Sequence, residues 1–249
     1  MRLLALVLPL TLLGSHAAPK SGEDLVRQMH DRYAGTWYRT LTFVQTTTFP
    51  GRPQETWYEA GTIPGKLRID IAPLDSMKAF MYVGDSAIAF EGGKRVAARP
   101  DRNLLMTLGF DVYGQPPDTT IAQLKAQSMD LGKIREDTWN GTKVWVVGAD
   151  KGDTTTNQFW IEQKRLLFVR LVEAHPSQKN PSGPPNLLDI TFENYQPLGK
   201  GWVAPRCVIK VNGKEVQREE YHYIRADVKL QPDLYDTETY HPATWIEAK

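Results

Sequence analysis

Residues 54–98 constrain the fold more than any other part of the chain. Leu67, Ile69 and Ile71 alternate there with Lys66, Arg68 and Asp70, the two-residue period of a strand with one buried and one solvated face. Roughly three or four such runs follow one another, separated only by Pro, Gly and Asp. Pro73-Leu74-Asp75-Ser76 turns the chain, Gly84-Asp85 turns it again, and Gly92-Gly93 supplies the positive φ angles of a two-residue hairpin. Connections this short leave no room for crossover helices, so the stretch reads as an antiparallel meander. Its apolar face must lie on something, either protein or ligand.

The rest of the chain bounds what that meander belongs to. With 249 residues, a formal net charge of +1 and 41% hydrophobic residues, the chain is long enough for a self-sufficient core. Its charge balance implies no nucleic-acid partner. Cys207 is the one cysteine, so no internal disulfide forms, and its apolar neighbours Val208 and Ile209 mark it as a small buried hydrophobe. Residues 1–17 read as an export signal. Arg2 gives the positive start, residues 3–13 form an apolar segment too short to span a bilayer, and Ser15 and Ala17 are the small residues before the cut. No cysteine follows the cut, and nothing later is long and apolar enough to stop in a membrane. The expected organisation is a signal peptide, 1–17, and one domain, 18–249, soluble and either periplasmic or extracellular.

The mature chain opens on a predicted helix capped by Ser21, with Asp24 near its start and Gly35 ending it; Leu25, Met29 and Tyr33 share one face as core packing. A long strand over 37–49 follows, with Leu41 and Phe43 inward, and then residues 55–62 lead into the meander. Beyond it Leu104, Leu105, Met106, Leu108 and Phe110 form an apolar insert, suited to a lid over a cavity or to a core plug. Pro116-Pro117-Asp118 starts a short helix with Ile121 and Leu124 on one face. Strands return at 134–139 and 142–149 around Asn140-Gly141, at 159–162 and 166–173, through Leu188, Ile190 and Phe192, and at 202–211 and 215–224 around Asn212-Gly213. The count is about ten or eleven antiparallel strands with two helical segments. The class is therefore mainly β with minor α, the sheet curling into a barrel or half-barrel.

The succession of an N-terminal helix, the Thr-rich strand LTFVQTTT, the Gly61-x-x-Pro64-Gly65-x-Leu67-Arg68 strand, the run MYVGDSAIAF and the later WIEQKRLLFVRL resembles the LolA/LolB lipoprotein-carrier superfamily. The resemblance covers essentially the whole mature chain. It implies an open half-barrel of about eleven strands whose apolar concave face is covered by helices and receives acyl chains. Without an anchoring cysteine, the chain is more similar to the soluble carrier than to the anchored receptor. Carriers of the best-known type have arginine immediately before the proline that Pro64 matches; here the residue is Ile63, so that arginine's part in lid control does not carry over.

Catalytic signals are weak by comparison. Gly84-Asp85-Ser86 is similar to the start of a Gly-Asp-Ser esterase block, but it falls in a hairpin turn and not after the first strand of an α/β sheet. His30, His175, His222 and His241 are spread singly, without metal-ligand spacing. Asn140-Gly141-Thr142 fits a glycosylation sequon, yet the tight turn explains it. No cofactor and no catalytic residue is expected. The expected function is an exported carrier or sensor in envelope lipid or lipoprotein trafficking. Its partners would be lipid or lipoprotein acyl chains and envelope membrane proteins. The expected cavity lining is Leu41, Phe43, Leu67, Ile69, Ile71, Phe80, Tyr82, Ile88 and Phe90, with the five apolar insert residues as its lid. The alternative is an enzyme acting on a small hydrophobic substrate on the same scaffold, with Arg39, Trp57 and Tyr58 as its polar candidates near the cleft.

Overall fold

A computed structural model describes residues 17–177 and 182–246. The export segment and part of the Pro-rich loop around residue 180 thus fall outside the described residues, apart from Ala17, whose carbonyl accepts a hydrogen bond from Gln28 Nε2. The strands are β1 (Thr40–Thr48), β2 (Glu55–Thr62), β3 (Lys66–Ile71), β4 (Lys78–Val83), β5 (Ser86–Glu91), β6 (Lys94–Pro100), β7 (Ile134–Trp139), β8 (Thr142–Val147), β9 (Gln158–Glu162), β10 (Leu167–His175), β11 (Asn186–Glu193), β12 (Gln196–Leu198), β13 (Gly201–Val203), β14 (Arg206–Val211) and β15 (Lys214–Ala226). Thirteen of them form one sheet in the order β6-β5-β4-β3-β2-β1-β15-β14-β11-β10-β9-β8-β7, and β12 pairs with β13 apart from it. Every pairing in the large sheet is antiparallel. Because β6 and β7 have no common pairing, the sheet is open, a half-barrel.

The hairpins sit where residue chemistry puts them. Asn140 and Gly141 take φ of 48° and 76°, and Asn212 and Gly213 take 50° and 78°, the left-handed pair that an Asn-Gly turn favours. Gly84-Asp85 joins β4 to β5 and so is a turn and not a nucleophile loop. The meander holds five strands, β2 to β6, where the sequence suggested three or four. The extra one, β6, is exposed at every residue, so no buried period reveals it. Its Lys94, Arg95 and Arg99 put charge on an edge that would otherwise invite pairing with another chain.

Three helices cover the concave face: α1 (Gly22–Tyr33), α2 (Leu104–Gly109) and α3 (Pro117–Ala126). Ser21 Oγ accepts from Asp24 N–H at 3.1 Å, so the expected cap forms. Leu25, Val26 and Met29 are fully buried, each worth about 1.5–3 kcal/mol relative to an exposed side chain. Behind α1, Trp37 stacks on Tyr113 at 4.0 Å between ring centres while Tyr33 meets both rings edge-on. The Tyr113 hydroxyl donates to Leu166 O and accepts from Phe168 N–H. Helices and aromatic side chains thus fill the β8–β11 side of the half-barrel, where Val147, Phe159, Ile161 and Leu171 are buried in the same core.

The convex face corrects one expectation. Lys66, Arg68 and Asp70 were expected to mark a solvated face of β3, yet Arg68 and Asp70 are 0% and 1% exposed. Their side chains form a bidentate pair, Nε to Oδ2 and Nη2 to Oδ1, both at 2.8 Å. Arg68 Nη1 donates to Leu234 O at 3.0 Å, and Tyr240 donates its hydroxyl to Asp70 Oδ1 while its ring lies 4.8 Å from the guanidinium carbon. The cause is residues 227–246, which lie as a strap across the outside of β2–β5. Leu234 and Ala243 pack on Ala60, with Leu230, Tyr235 and Trp245 around them, and Tyr240 packs on Ala79, Met81, Ile88 and Phe90.

Candidate ligand-binding cavity

On the β2–β4 side the core does not fill the concave face, and a cavity of about 360 Å³ lies there. At about 30 Å³ per water-sized group, it has room for roughly twelve such groups, and it falls within the usual size range of ligand sites. Strand alternation decides what faces it. The register pairs Leu41 with Gly61, Phe43 with Glu59, Ile69 with Phe80 and Leu67 with Tyr82, so these side chains all project from one face of the sheet. All of them line the cavity.

Three expected wall residues lie elsewhere. Ile88 pairs with Met81, and Phe90 with Ala79, while Phe80 and Tyr82 stand opposite Ala89 and Ala87. Ile88 and Phe90 therefore point to the convex side, where they are 3% and 0% exposed beneath the strap. Ile71 keeps the inward parity of β3 but lies beyond the lining, at the end of the strand. Of the polar candidates, Trp57 lines the cavity, Tyr58 alternates to the opposite face, and Arg39 is an exposed residue before β1.

The apolar insert divides in the same way. Asn103 Oδ1 accepts from the N–H groups of Leu105 and Met106 and so caps α2. One turn of helix then sends Leu104 and Leu108 into the core, while Leu105, Met106 and Phe110 roof the cavity. The insert is both plug and cover. It is held close to the sheet because Gly109 lies against Phe192, where an added Cβ would come within 2.9 Å of the ring.

Ile63 is 6% exposed and lines the cavity beside Gly114. The polar link between cover and wall comes from Asp111: its Oδ1 accepts from Gly65 N–H at 3.0 Å, in the turn after Pro64. Asp111 is fully buried and its Oδ2 has no hydrogen-bond partner. Burial raises its pKa from 3.8 to about 6, against the opposing pull of the Gly65 N–H and Arg102.

This gives a signed prediction. Below about pH 3.8 Asp111 is protonated folded or unfolded and adds no pH-linked penalty. Between 3.8 and 6 the unfolded chain ionises first, and above 6 the folded state carries the full cost of the buried charge, on the order of 3 kcal/mol. Asp111→Asn keeps an acceptor for Gly65 and removes the charge. The variant is expected to melt at a higher temperature than the native protein at pH 7.5, with the difference vanishing at pH 3.5; equal stabilisation at both pH values would contradict this assignment.

The half-barrel's other wall contributes Phe192, Ile209, Gln217, Glu219 and Tyr221. Glu219 accepts from Gln217 Nε2 at 2.6 Å and from the Tyr221 hydroxyl at 2.7 Å. Burial raises its pKa, with those hydrogen bonds partly offsetting the shift. Burial, with the charge of Glu219 adding to it, holds the Glu59 carboxyl well above the usual carboxylate range. Neither glutamate was singled out in the sequence as a cavity group. Cys207 is fully buried with its thiol pushed up by burial, an inert position. Among the described residues no cluster of three or more His, Cys, Asp or Glu side chains is placed to hold a metal ion, and no helix is long and apolar enough to cross a membrane.

No protein-family model matches the sequence, and no curated protein matches it. Solved structures do. A DUF1329 family protein from Desulfovibrio piger aligns with 86% of this chain and 95% of its own, with a TM-score of 0.53 at 13% identity. A domain described as outer membrane lipoprotein-sorting, from Vibrio parahaemolyticus, aligns with 86% of this chain and 96% of its own, with a TM-score of 0.56 at 14% identity. At these identities the likeness speaks to the fold alone. Together with the open antiparallel half-barrel and its helical cover, it shows that the chain has a LolA-like fold.

Proposed function

We propose that this protein is an exported carrier or sensor that binds an acyl chain of a lipid or lipoprotein in the half-barrel cavity, in envelope lipid or lipoprotein trafficking. On this reading residues 1–17 are the export signal and 18–249 act as one domain. The observation that carries the proposal is an unfilled apolar cavity on the concave face whose wall includes Phe80, a large aromatic left 40% exposed. An alkyl chain laid along Leu41, Phe43, Ile69 and Phe80 gains about 0.8 kcal/mol for each methylene it buries, less the cost of ordering the chain and its cover. The description of the Vibrio domain as lipoprotein-sorting agrees with a lipid-linked cargo.

The test is a chain-length series. Isothermal titration with uncharged single-chain alkyl ligands is expected to show affinity rising about 3- to 4-fold per added methylene, then levelling off once the cavity is filled. Affinity independent of chain length, or no binding at any length, would contradict the proposal.

A further inference from the structure

One cavity group is left without a partner. Glu59 is 5% exposed, lines the cavity and accepts no hydrogen bond from another described residue. It differs in this from Glu219, whose oxygens are occupied by Gln217 and Tyr221. A buried carboxyl without donors is costly unless something else supplies them, and here the open side of the group is the cavity. We infer that the polar end of the ligand is a hydrogen-bond-donating cation, an ammonium group on an alkyl chain, seated between Glu59 and Glu219. This rests on the reading of the cavity as an alkyl-chain site and adds the chemistry of the ligand's other end.

The geometry separates the two ends of such a molecule. Leu41, Phe43, Ile69 and Phe80 take the chain, while Glu59 of β2 and Glu219 of β15 approach from either side of β1. The titratable groups facing this pole are Glu219 and Tyr221 of β15, Cys207 of β14 and Tyr82 of β4, whereas Lys66 at the start of β3 carries its ammonium to the Tyr235 ring on the convex side. None of these groups is a cation, so a free fatty acid would add a third carboxyl to a site already holding two. An ammonium instead favours the ionised forms of the two glutamates, and its donors match the Glu59 oxygens that lack partners. Binding of the cation therefore releases protons from the glutamates to solvent.

The experiment compares dodecylammonium, dodecanol and dodecanoate, each below its aggregation concentration, by isothermal titration at pH 7.5 in two buffers of different ionisation enthalpy. Dodecylammonium is expected to bind about tenfold or more tighter than dodecanoate, with an enthalpy that depends on the buffer because protons are released; the dodecanol enthalpy is expected to be buffer-independent. In Glu59→Gln the ammonium advantage over dodecanol should shrink about tenfold, with a cooperative melting transition as the control for folding. Dodecanoate binding as tightly as dodecylammonium in the native protein, a comparison that needs no variant, overturns this inference and leaves the alkyl-chain site standing. Failure of all three to bind overturns both.

Discussion

Replacing Asp70 by alanine is expected to destabilise the protein by about 3–5 kcal/mol, lowering the melting temperature by roughly 6–20 °C. The size follows from what is left behind. Arg68 is fully buried and gives two of its hydrogen bonds to Asp70, so the substitution strands a guanidinium with only Leu234 O as a hydrogen-bond partner. It also takes the acceptor from the Tyr240 hydroxyl. Removing both charges together, as Arg68→Met with Asp70→Leu, is expected to cost much less, since the pair's desolvation penalty leaves with it. Urea unfolding of the native protein and these two variants decides the matter. A loss below about 1 kcal/mol for Asp70→Ala would mean that the pair behaves as a surface salt bridge and that the strap of residues 227–246 does not cover it.

The second large effect separates the two faces of β4 and β5. Phe80→Asp is expected to weaken alkyl-chain binding about 100-fold or more, because a bound chain would have to desolvate the new carboxylate. At 40% exposure the site leaves that carboxylate hydrated in the free protein, so the melting temperature should change little. Phe90→Ala is expected to do the opposite. Its side chain is fully buried on the convex face, so stability falls by about 3–5 kcal/mol, while the variant still folded at 20 °C keeps its affinity for the chain. Ile69→Asp is less informative, since at 8% exposure it damages cavity and core together. Affinity and melting temperature measured on Phe80→Asp and Phe90→Ala check both assignments. A fall in binding for Phe90→Ala matching that for Phe80→Asp would contradict the strand register given above.

The same residues show where the sequence could be read and where it could not. Asn140-Gly141, Asn212-Gly213 and Ser21 were legible because local stereochemistry alone decides them: positive φ at both turn positions, or a side-chain oxygen at the cap. That the sheet curls followed from many short antiparallel strands too numerous for a flat sheet, while its openness was implied by the resemblance to the LolA/LolB superfamily. Six of nine wall residues face the cavity because Leu41, Phe43, Leu67, Ile69, Phe80 and Tyr82 obey one alternation carried across paired strands. Ile88 and Phe90 were placed on the wrong side because the neighbouring strand β4 is apolar on both faces, so periodicity cannot choose between them. The ambiguity has its source in the strap, whose Leu230, Leu234, Tyr235 and Tyr240 follow neither a strand nor a helix period and give no sign that they bury the outer face. For the same reason charge on β3 was read as exposure, whereas Arg68 and Asp70 neutralise each other in the interior. Glu59, Glu219 and Asp111 look like ordinary surface acids in sequence. Only the register and the position of α2 turn them inward.

The proposal that the cavity holds a lipid chain is tested most directly by native mass spectrometry of the protein expressed from the full chain, residues 1–17 included, and purified without detergent. The predicted result is a population heavier than the bare protein by the mass of one single-chain or acylated lipid, lost on solvent extraction and much reduced in Phe80→Asp. A spectrum showing only lipid-free protein, unchanged after incubation with a membrane lipid extract, would contradict it.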